Sequence, residues 1–161
     1  MDWVRGVEYG VVAVLLGVAL VSGPLVGAVD LTHEPPADYG EGTVTVGAVS
    51  APDSATLDRG SYGEQSYQLE VPDATLEVTA ISGRPIVAYT LSIDALGYSR
   101  TTTHFFSERN NGTQTLSLES DTFAPDEIGN SSYDGELEIV VRDSGPERTV
   151  LRTNVTVEVE G

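Results

Sequence analysis

The chain of 161 residues carries 25 aspartates and glutamates against 8 arginines, no lysine and no cysteine, for a formal net charge of −17. Such an acidic surface repels phosphates and excludes a nucleic-acid-binding role. Without cysteine the chain forms no disulfide and has no thiol nucleophile.

The acidic excess also indicates the solvent for which the chain is suited. In dilute buffer this charge would destabilise a compact state through self-repulsion. In molar salt the Debye length falls to roughly 3 Å, so the repulsion is screened and the carboxylates form a hydrated coat. The composition resembles that of haloarchaeal proteins over the whole chain, without any catalytic motif. The resemblance implies a protein that works in concentrated salt.

The first predicted element is a transmembrane helix. Residues 9–29 (YGVVAVLLGVALVSGPLVGAV) carry no charge, and a bilayer core needs about 20 apolar residues in a helix. Arg5 precedes this stretch and Asp30 follows it, which favours a cytoplasmic N-terminus with residues 30–161 outside the cell. Residues 1–29 are therefore predicted to be a membrane anchor.

Two alternatives for the same segment stay open. Gly23-Pro24 interrupts the apolar run, and Val26-Gly27-Ala28 has the small residues of a signal-peptidase site, so cleavage near Val29 would release a secreted domain. The segment also resembles the start of type IV pilins, in which a processing site similar to Arg5-Gly6 precedes an apolar helix. The acid at Glu8 and the proline at position 24 depart from that pattern.

Residues 30–42 are rich in proline, glycine and acid, and are predicted to be a linker. Residues 43–161 are long enough for one domain with its own core, in which apolar residues recur at every second position. The alternating rows lie within 44–48, 67–71, 76–80, 87–93, 116–118, 137–141 and 151–159. Turn-forming clusters separate them at 51–53, 72–73, 82–85, 110–112 and 143–146.

Rows with one apolar and one polar face are typical of antiparallel strands that have one side in water. About seven or eight short strands without a helical stripe predict an all-β fold, an immunoglobulin-like antiparallel β-sandwich preceded by one N-terminal transmembrane helix. Tyr133, just before the strand predicted at 136–142, is a candidate tyrosine corner or a tyrosine packed on a surface turn.

Three of the four asparagines in the chain begin Asn-x-Ser/Thr sequons, namely Asn111, Asn130 and Asn154. The first two lie in predicted loops and the third on the polar face of the last strand. All three are predicted to be accessible glycosylation sites. Glycans at these positions would fit an extracellular location without defining an activity.

No catalytic, cofactor-binding or metal-binding residues are predicted. The two histidines, His33 and His104, lie about 70 residues apart, and no Gly-x-Ser-x-Gly motif supports a serine nucleophile. A hydrolase assembled from scattered residues around His104 stays an alternative. The acidic loop 119–127 matches no defined calcium loop, which favours a solvated face over a Ca²⁺ site.

These features predict a single-pass cell-envelope protein with an extracellular interaction or structural module and no enzymatic activity. Its partner would be another envelope protein, bound at the loops 107–114 or 122–133 or along an edge strand. The alternatives are a secreted subunit that binds a ligand or calcium and, less favoured, a pilin-like envelope subunit.

Overall fold

Ten β-strands account for most of residues 38–60 and 66–161, which the computed structural model describes. The strands are β1 (Glu41–Ser50), β2 (Ser54–Arg59), β3 (Tyr67–Glu70), β4 (Ala74–Arg84), β5 (Ile86–Ile93), β6 (Tyr98–Phe105), β7 (Gly112–Leu116), β8 (Asp121–Phe123), β9 (Ser132–Arg142) and β10 (Arg148–Glu160). One 3₁₀ turn, Asp94–Leu96, joins β5 to β6. The all-β prediction is confirmed for these residues.

The strands form two sheets. One is antiparallel, with the order β1-β4-β7, and the other has seven strands in the order β6-β5-β9-β10-β2-β3-β8. The larger sheet is strongly curled and is mixed, because β2 pairs with β10 in parallel. The wholly antiparallel prediction was wrong at this pair, since alternation reports which face a residue occupies and not the direction of the neighbouring strand.

The short connection at residues 51–53 explains the parallel pair. It carries the chain from β1 in the smaller sheet to β2 in the larger one. The carbonyl of Asp53 accepts a hydrogen bond from the N–H of Thr156, at 3.0 Å, which fixes β2 beside the second half of β10. The first half of β10 pairs only with β9.

The core lies between the two sheets and follows the alternating rows. Val87, Tyr89, Leu91 and Ile93 of β5 are fully buried, as are three alternate residues of β9 (Leu137, Ile139 and Val141). The prediction was less accurate on β1, where Val44 is buried, Val46 is half-buried and Ala48 is exposed. Register shifts between Thr45 and Val46 and between Val46 and Val49 break the alternation there.

Tyr133 forms the arrangement of a tyrosine corner. It lies on β9, which begins earlier than position 136, and its side chain is 5% exposed. Its hydroxyl accepts hydrogen bonds from the backbone N–H groups of Gly129, at 2.9 Å, and Asn130, at 3.1 Å. A tyrosine near the start of a strand that bonds to the backbone a few residues upstream is the defining geometry of this motif.

The predictions for residues 1–29 and for most of the linker lie outside the described residues. Within residues 38–60 and 66–161, no helix is long and apolar enough to cross a membrane.

Candidate functional site

The acidic loop 119–127, for which the sequence favours a solvated face over a Ca²⁺ site, contacts strand β6 of the curled sheet. Arg100 of β6 forms a salt bridge with Glu119 and a second with Asp121, at 3.5 Å. The Tyr98 hydroxyl donates to Asp121 at 3.3 Å, and the Tyr98 and Phe123 rings pack edge to face. Contacts between β6 and residues 119–123 therefore join the two ends of the seven-stranded sheet.

Two further contacts place the same segment along the outer edge of β6. The N–H of Glu119 donates to the Thr102 hydroxyl at 3.4 Å, and His104 Nε2 lies 3.2 Å from the carbonyl oxygen of Ser117. His104 therefore contacts a backbone carbonyl, and in residues 38–60 and 66–161 no hydrogen bond joins it to a nucleophilic side chain or a carboxylate. Among the described residues, no three histidine or acidic side chains come close enough together to hold a metal ion.

The three sequon asparagines are all exposed but differ in backbone setting. Asn111 and Asn130 lie on the connections that precede β7 and β9. Asn154 lies within β10, opposite Glu136 of β9, where the neighbouring Val155 is buried. The structure brings no two of these asparagines into one site, and their modification stays a prediction.

A hydrogen-bonded network that the sequence analysis missed attaches β1 to the hairpin between β9 and β10. The Asp143 carboxylate accepts from the N–H of Val44 at 3.3 Å, from the N–H of Gly145 at 3.0 Å and from Arg148 Nη1 at 2.9 Å. Arg148 Nη2 donates to the Val44 carbonyl. Both backbone groups of Val44 are therefore bonded to side chains of the hairpin. We call Asp143 and Arg148 the clamp.

The beginning of β1 is held by two additional bonds. The N–H of Gly42 donates to the Ser144 hydroxyl at 2.8 Å, and the N–H of Ser144 donates to the Gly42 carbonyl at 3.0 Å. Glycine is required at position 42, because φ is +100° and a Cβ would lie 2.0 Å from the Ser82 carbonyl oxygen of β4. The first part of β1 is thus fixed on both sides.

The electrostatics of the clamp follow from its burial. The Asp143 side chain is 5% exposed, whereas that of Arg148 is 41% exposed. Burial alone would raise the pKa of Asp143, but the bonds from Gly145, Arg148 and Val44 outweigh it and hold the pKa below its ordinary value. The carboxylate is consequently ionised under all but strongly acidic conditions.

Beyond the clamp, an open groove of about 630 Å³ runs between β1 and the start of β10. Its apolar lining is formed by valines, and its polar lining by the clamp and by two threonines of β1. The lining residues are Thr43, Val44, Thr45, Val46, Gly47, Val49, Asp143, Gly145, Arg148 and Val150. This volume lies within the range of about 300–1,000 Å³ that is usual for ligand pockets.

The groove exists because two strand edges lie side by side without pairing. β1 is at the edge of the smaller sheet and pairs only with β4, while the first half of β10 pairs only with β9. Next to the groove residues Gly47 and Val49, the N–H of Ala48 lies 3.4 Å from the Glu77 carboxylate. The groove therefore has an apolar lining of valines and a polar lining that includes the clamp.

Comparisons with known proteins add no functional assignment. No protein-family model matches the chain, and no curated protein matches it.

Proposed function

We propose that the chain is a non-enzymatic, single-pass cell-envelope protein of a halophile, anchored by residues 9–29, with residues 30–161 outside the cell. The uncharged apolar stretch supports the anchor. The acidic excess supports a salt-rich medium, since the described residues carry 20 carboxylates against 7 arginines, a net charge of −13. The β domain then serves as an interaction module.

We assign the domain to the immunoglobulin-like sandwiches on its strand order. β1, β4 and β7 take the order of strands A, B and E of that fold, whereas β5, β9 and β10 take the order of C, F and G. Tyr133 occupies the tyrosine-corner position near the start of strand F. Tyr89 is a buried aromatic residue on strand C, where antibody domains carry a tryptophan.

The observation that carries the proposed binding role is the free edge of β1. Natural proteins protect edge strands, because unpaired backbone groups recruit other chains. Here β7 and β8 are short, with 5 and 3 residues, and residues 117–121 lie along β6. The clamp bonds to both backbone groups of Val44. At residues 45–49, however, no strand pairs with the outer side of β1 in the described part of the chain.

The occupant that fits this edge is an extended segment of another envelope protein, added as a strand beside residues 45–49. At about 3.3 Å per residue, a five-residue segment would span roughly 16 Å of β1. Its backbone would bond to the edge, and its alternate side chains would contact Val46, Val49 and Val150. A basic or neutral segment is expected, because the domain is acidic and the Glu77 carboxylate contacts the N–H of Ala48 on the same stretch of β1.

Site-specific photo-crosslinking in the cells that produce the protein tests this function. A photoreactive residue is placed at Thr45, in the groove, and in a matched protein at Thr101, an exposed threonine on edge strand β6. We expect position 45 to crosslink to one defined segment of an envelope protein. A synthetic peptide of that segment should slow amide hydrogen exchange of residues 45–49 at molar salt.

A pair of valine substitutions provides the control. Val46→Lys places a charge in the groove and should abolish the peptide's protection of residues 45–49. Val140→Lys adds the same charge at another half-buried valine, on β9, and should leave the protection unchanged. Equal crosslinking from positions 45 and 101, or a captured peptide that protects none of these amides, would refute strand addition to β1.

A further inference from the structure

One end of the domain carries an exposed aromatic pair with an arginine beside it. Tyr39 and Phe105 are 55% and 56% exposed, and their rings contact edge to face with centroids 4.7 Å apart. The guanidinium carbon of Arg84 lies 3.8 Å from the centroid of the Tyr39 ring. Among the described residues, no carboxylate lies within 4.0 Å of Arg84 in a salt bridge. We call these three residues the aromatic patch.

The patch lies where the chain enters the domain. Glu41 at the start of β1 pairs with Arg84 at the end of β4, and Ile86 at the start of β5 pairs with both Phe105 of β6 and Arg142 of β9. We call this the entry end. It is the end of the sandwich that follows directly after the linker and the apolar stretch 9–29 in the sequence.

Charge is distributed unevenly between the entry end and the rest of the domain. The entry end includes 4 of the 7 described arginines (Arg84, Arg109, Arg142 and Arg148) and 5 of the 20 described carboxylates (Asp38, Glu41, Glu108, Asp143 and Glu147). Its net charge is therefore −1. The remaining 3 arginines and 15 carboxylates give the rest of the domain a net charge of −12.

We propose that the aromatic patch seats the entry end of the domain in the headgroup layer of the membrane that anchors the chain. Aromatic rings with one apolar and one polar side concentrate at membrane–water interfaces. An arginine guanidinium binds phosphate through two parallel hydrogen bonds, and that of Arg84 is already positioned by the Tyr39 ring. The acidic remainder of the domain faces away from the lipid phosphates.

The length of the connecting chain is consistent with this contact. Residues 30–37 separate the apolar stretch from the first described residue, and eight residues span at most about 29 Å when fully extended. The first described residue is therefore within about 29 Å of the end of the apolar stretch along the chain. This inference rests on the proposed anchoring by residues 9–29.

Depth-dependent fluorescence quenching tests the contact in the full chain. The native tryptophan is removed by Trp3→Phe, and a single tryptophan is introduced by Phe105→Trp. The matched protein carries Tyr67→Trp, at the opposite end of the domain, where Tyr67 pairs with Arg59 near the end of β2. Both proteins are reconstituted at molar salt in vesicles of anionic lipid that include a lipid with a nitroxide-labelled headgroup.

We expect several-fold stronger quenching in the Phe105→Trp protein than in the Tyr67→Trp protein. Adding Arg84→Glu to the Phe105→Trp protein should reduce quenching to the level of the matched protein. Equal quenching at the two positions, with the chain retained in the vesicle fraction, would overturn the headgroup contact alone. Loss of the chain from the vesicle fraction would instead overturn the proposed anchoring and the contact that rests on it.

Discussion

The clamp offers the sharpest test of how β1 is held, through the substitution Asp143→Asn. The Asp143 carboxylate meets three donors, namely the N–H groups of Val44 and Gly145 and the guanidinium of Arg148. An asparagine of similar size has one carbonyl oxygen and an NH₂ group that is itself a donor. The substitution therefore leaves three donors competing for one acceptor, at a side chain that is 5% exposed.

The expected loss of stability follows from these contacts. Losing a hydrogen bond to a charged group costs about 1.5–3 kcal/mol, and leaving a buried N–H unsatisfied costs about 1–3 kcal/mol. Because Arg148 is 41% exposed, it can bond to water once its partner is lost, and the lower halves of these ranges apply. Their sum is a loss of about 2–4 kcal/mol in the free energy of unfolding. That is a large part of the roughly 5–15 kcal/mol that stabilises a typical domain.

Urea denaturation at constant molar KCl measures this loss, since urea leaves the ionic strength unchanged. With a slope of about 2 kcal/mol per molar urea, in the middle of the usual range for small proteins, the urea midpoint should fall by about 1–2 M. Glu147→Gln is the control, because it removes a charge from the same hairpin at a residue whose salt bridge to Arg142 is exposed. The control should change stability by less than about 1 kcal/mol.

The stability at acid pH provides a second test of the same substitution. Since the pKa of Asp143 is held below 3.8 in the folded state, its ionised form stabilises the fold above that pH and loses this effect as the pH falls through the folded value. The difference in free energy of unfolding between the wild-type and Asp143→Asn proteins should therefore become smaller as the pH falls below 3.8. A urea midpoint for Asp143→Asn equal to that of Glu147→Gln would refute the role of the clamp.

Substitutions of Tyr133, Tyr89 and two sequon asparagines give four further outcomes. Tyr133→Phe should destabilise the domain by about 1–2 kcal/mol in urea denaturation, because two backbone N–H groups lose their acceptor. Tyr89→Phe should be neutral or stabilising by about 1 kcal/mol, since the buried Tyr89 hydroxyl has no protein partner among the described residues; a loss above that size would show that the hydroxyl is bonded. Burial raises the pKa of Tyr89 to about 12. The free energy of unfolding should therefore decline as the pH rises from 10 through 12, and this decline should be less steep in Tyr89→Phe. In the intact mass of native protein, Asn111→Gln and Asn154→Gln should each remove one glycan increment, because both asparagines are exposed and begin sequons.

The sequence predicted which face of each strand is buried better than it predicted which strands pair with each other. Strict alternation from Val87 to Ile93 places every second residue in the core, and the structure buries that same set. Strand β2 was not recognised, since only Ala55 and Leu57 are buried in its six residues. Its parallel pairing with β10 depends on the path of the chain at residues 51–53. A local pattern of apolar and polar residues does not predict that path.

The clamp was beyond sequence reasoning for a related reason. Residues 143–146 were recognised as a turn from their composition, but Asp143 bonds to Val44, which lies 99 positions earlier in the chain. Tyr39, in the predicted linker, and Phe105 likewise lie 66 positions apart in the chain and meet only in three dimensions. An acidic residue in a turn is ordinarily solvated, so nothing in the local sequence distinguished Asp143 from its many acidic neighbours.

The proposed strand-binding edge on β1 and the aromatic patch beside the start of β1 should act independently. From Glu41, which pairs with Arg84 beside the patch, to Val46 in the groove is five residues, or about 16 Å along a strand. This separation is several times the roughly 3 Å Debye length of molar salt, so charges at one surface are screened from the other. The bonds at Gly42 and Val44 also hold the intervening backbone. A substitution at Phe105 should therefore leave peptide protection of residues 45–49 unchanged, and Val46→Lys should leave headgroup quenching unchanged, because no shared residue couples the two sites.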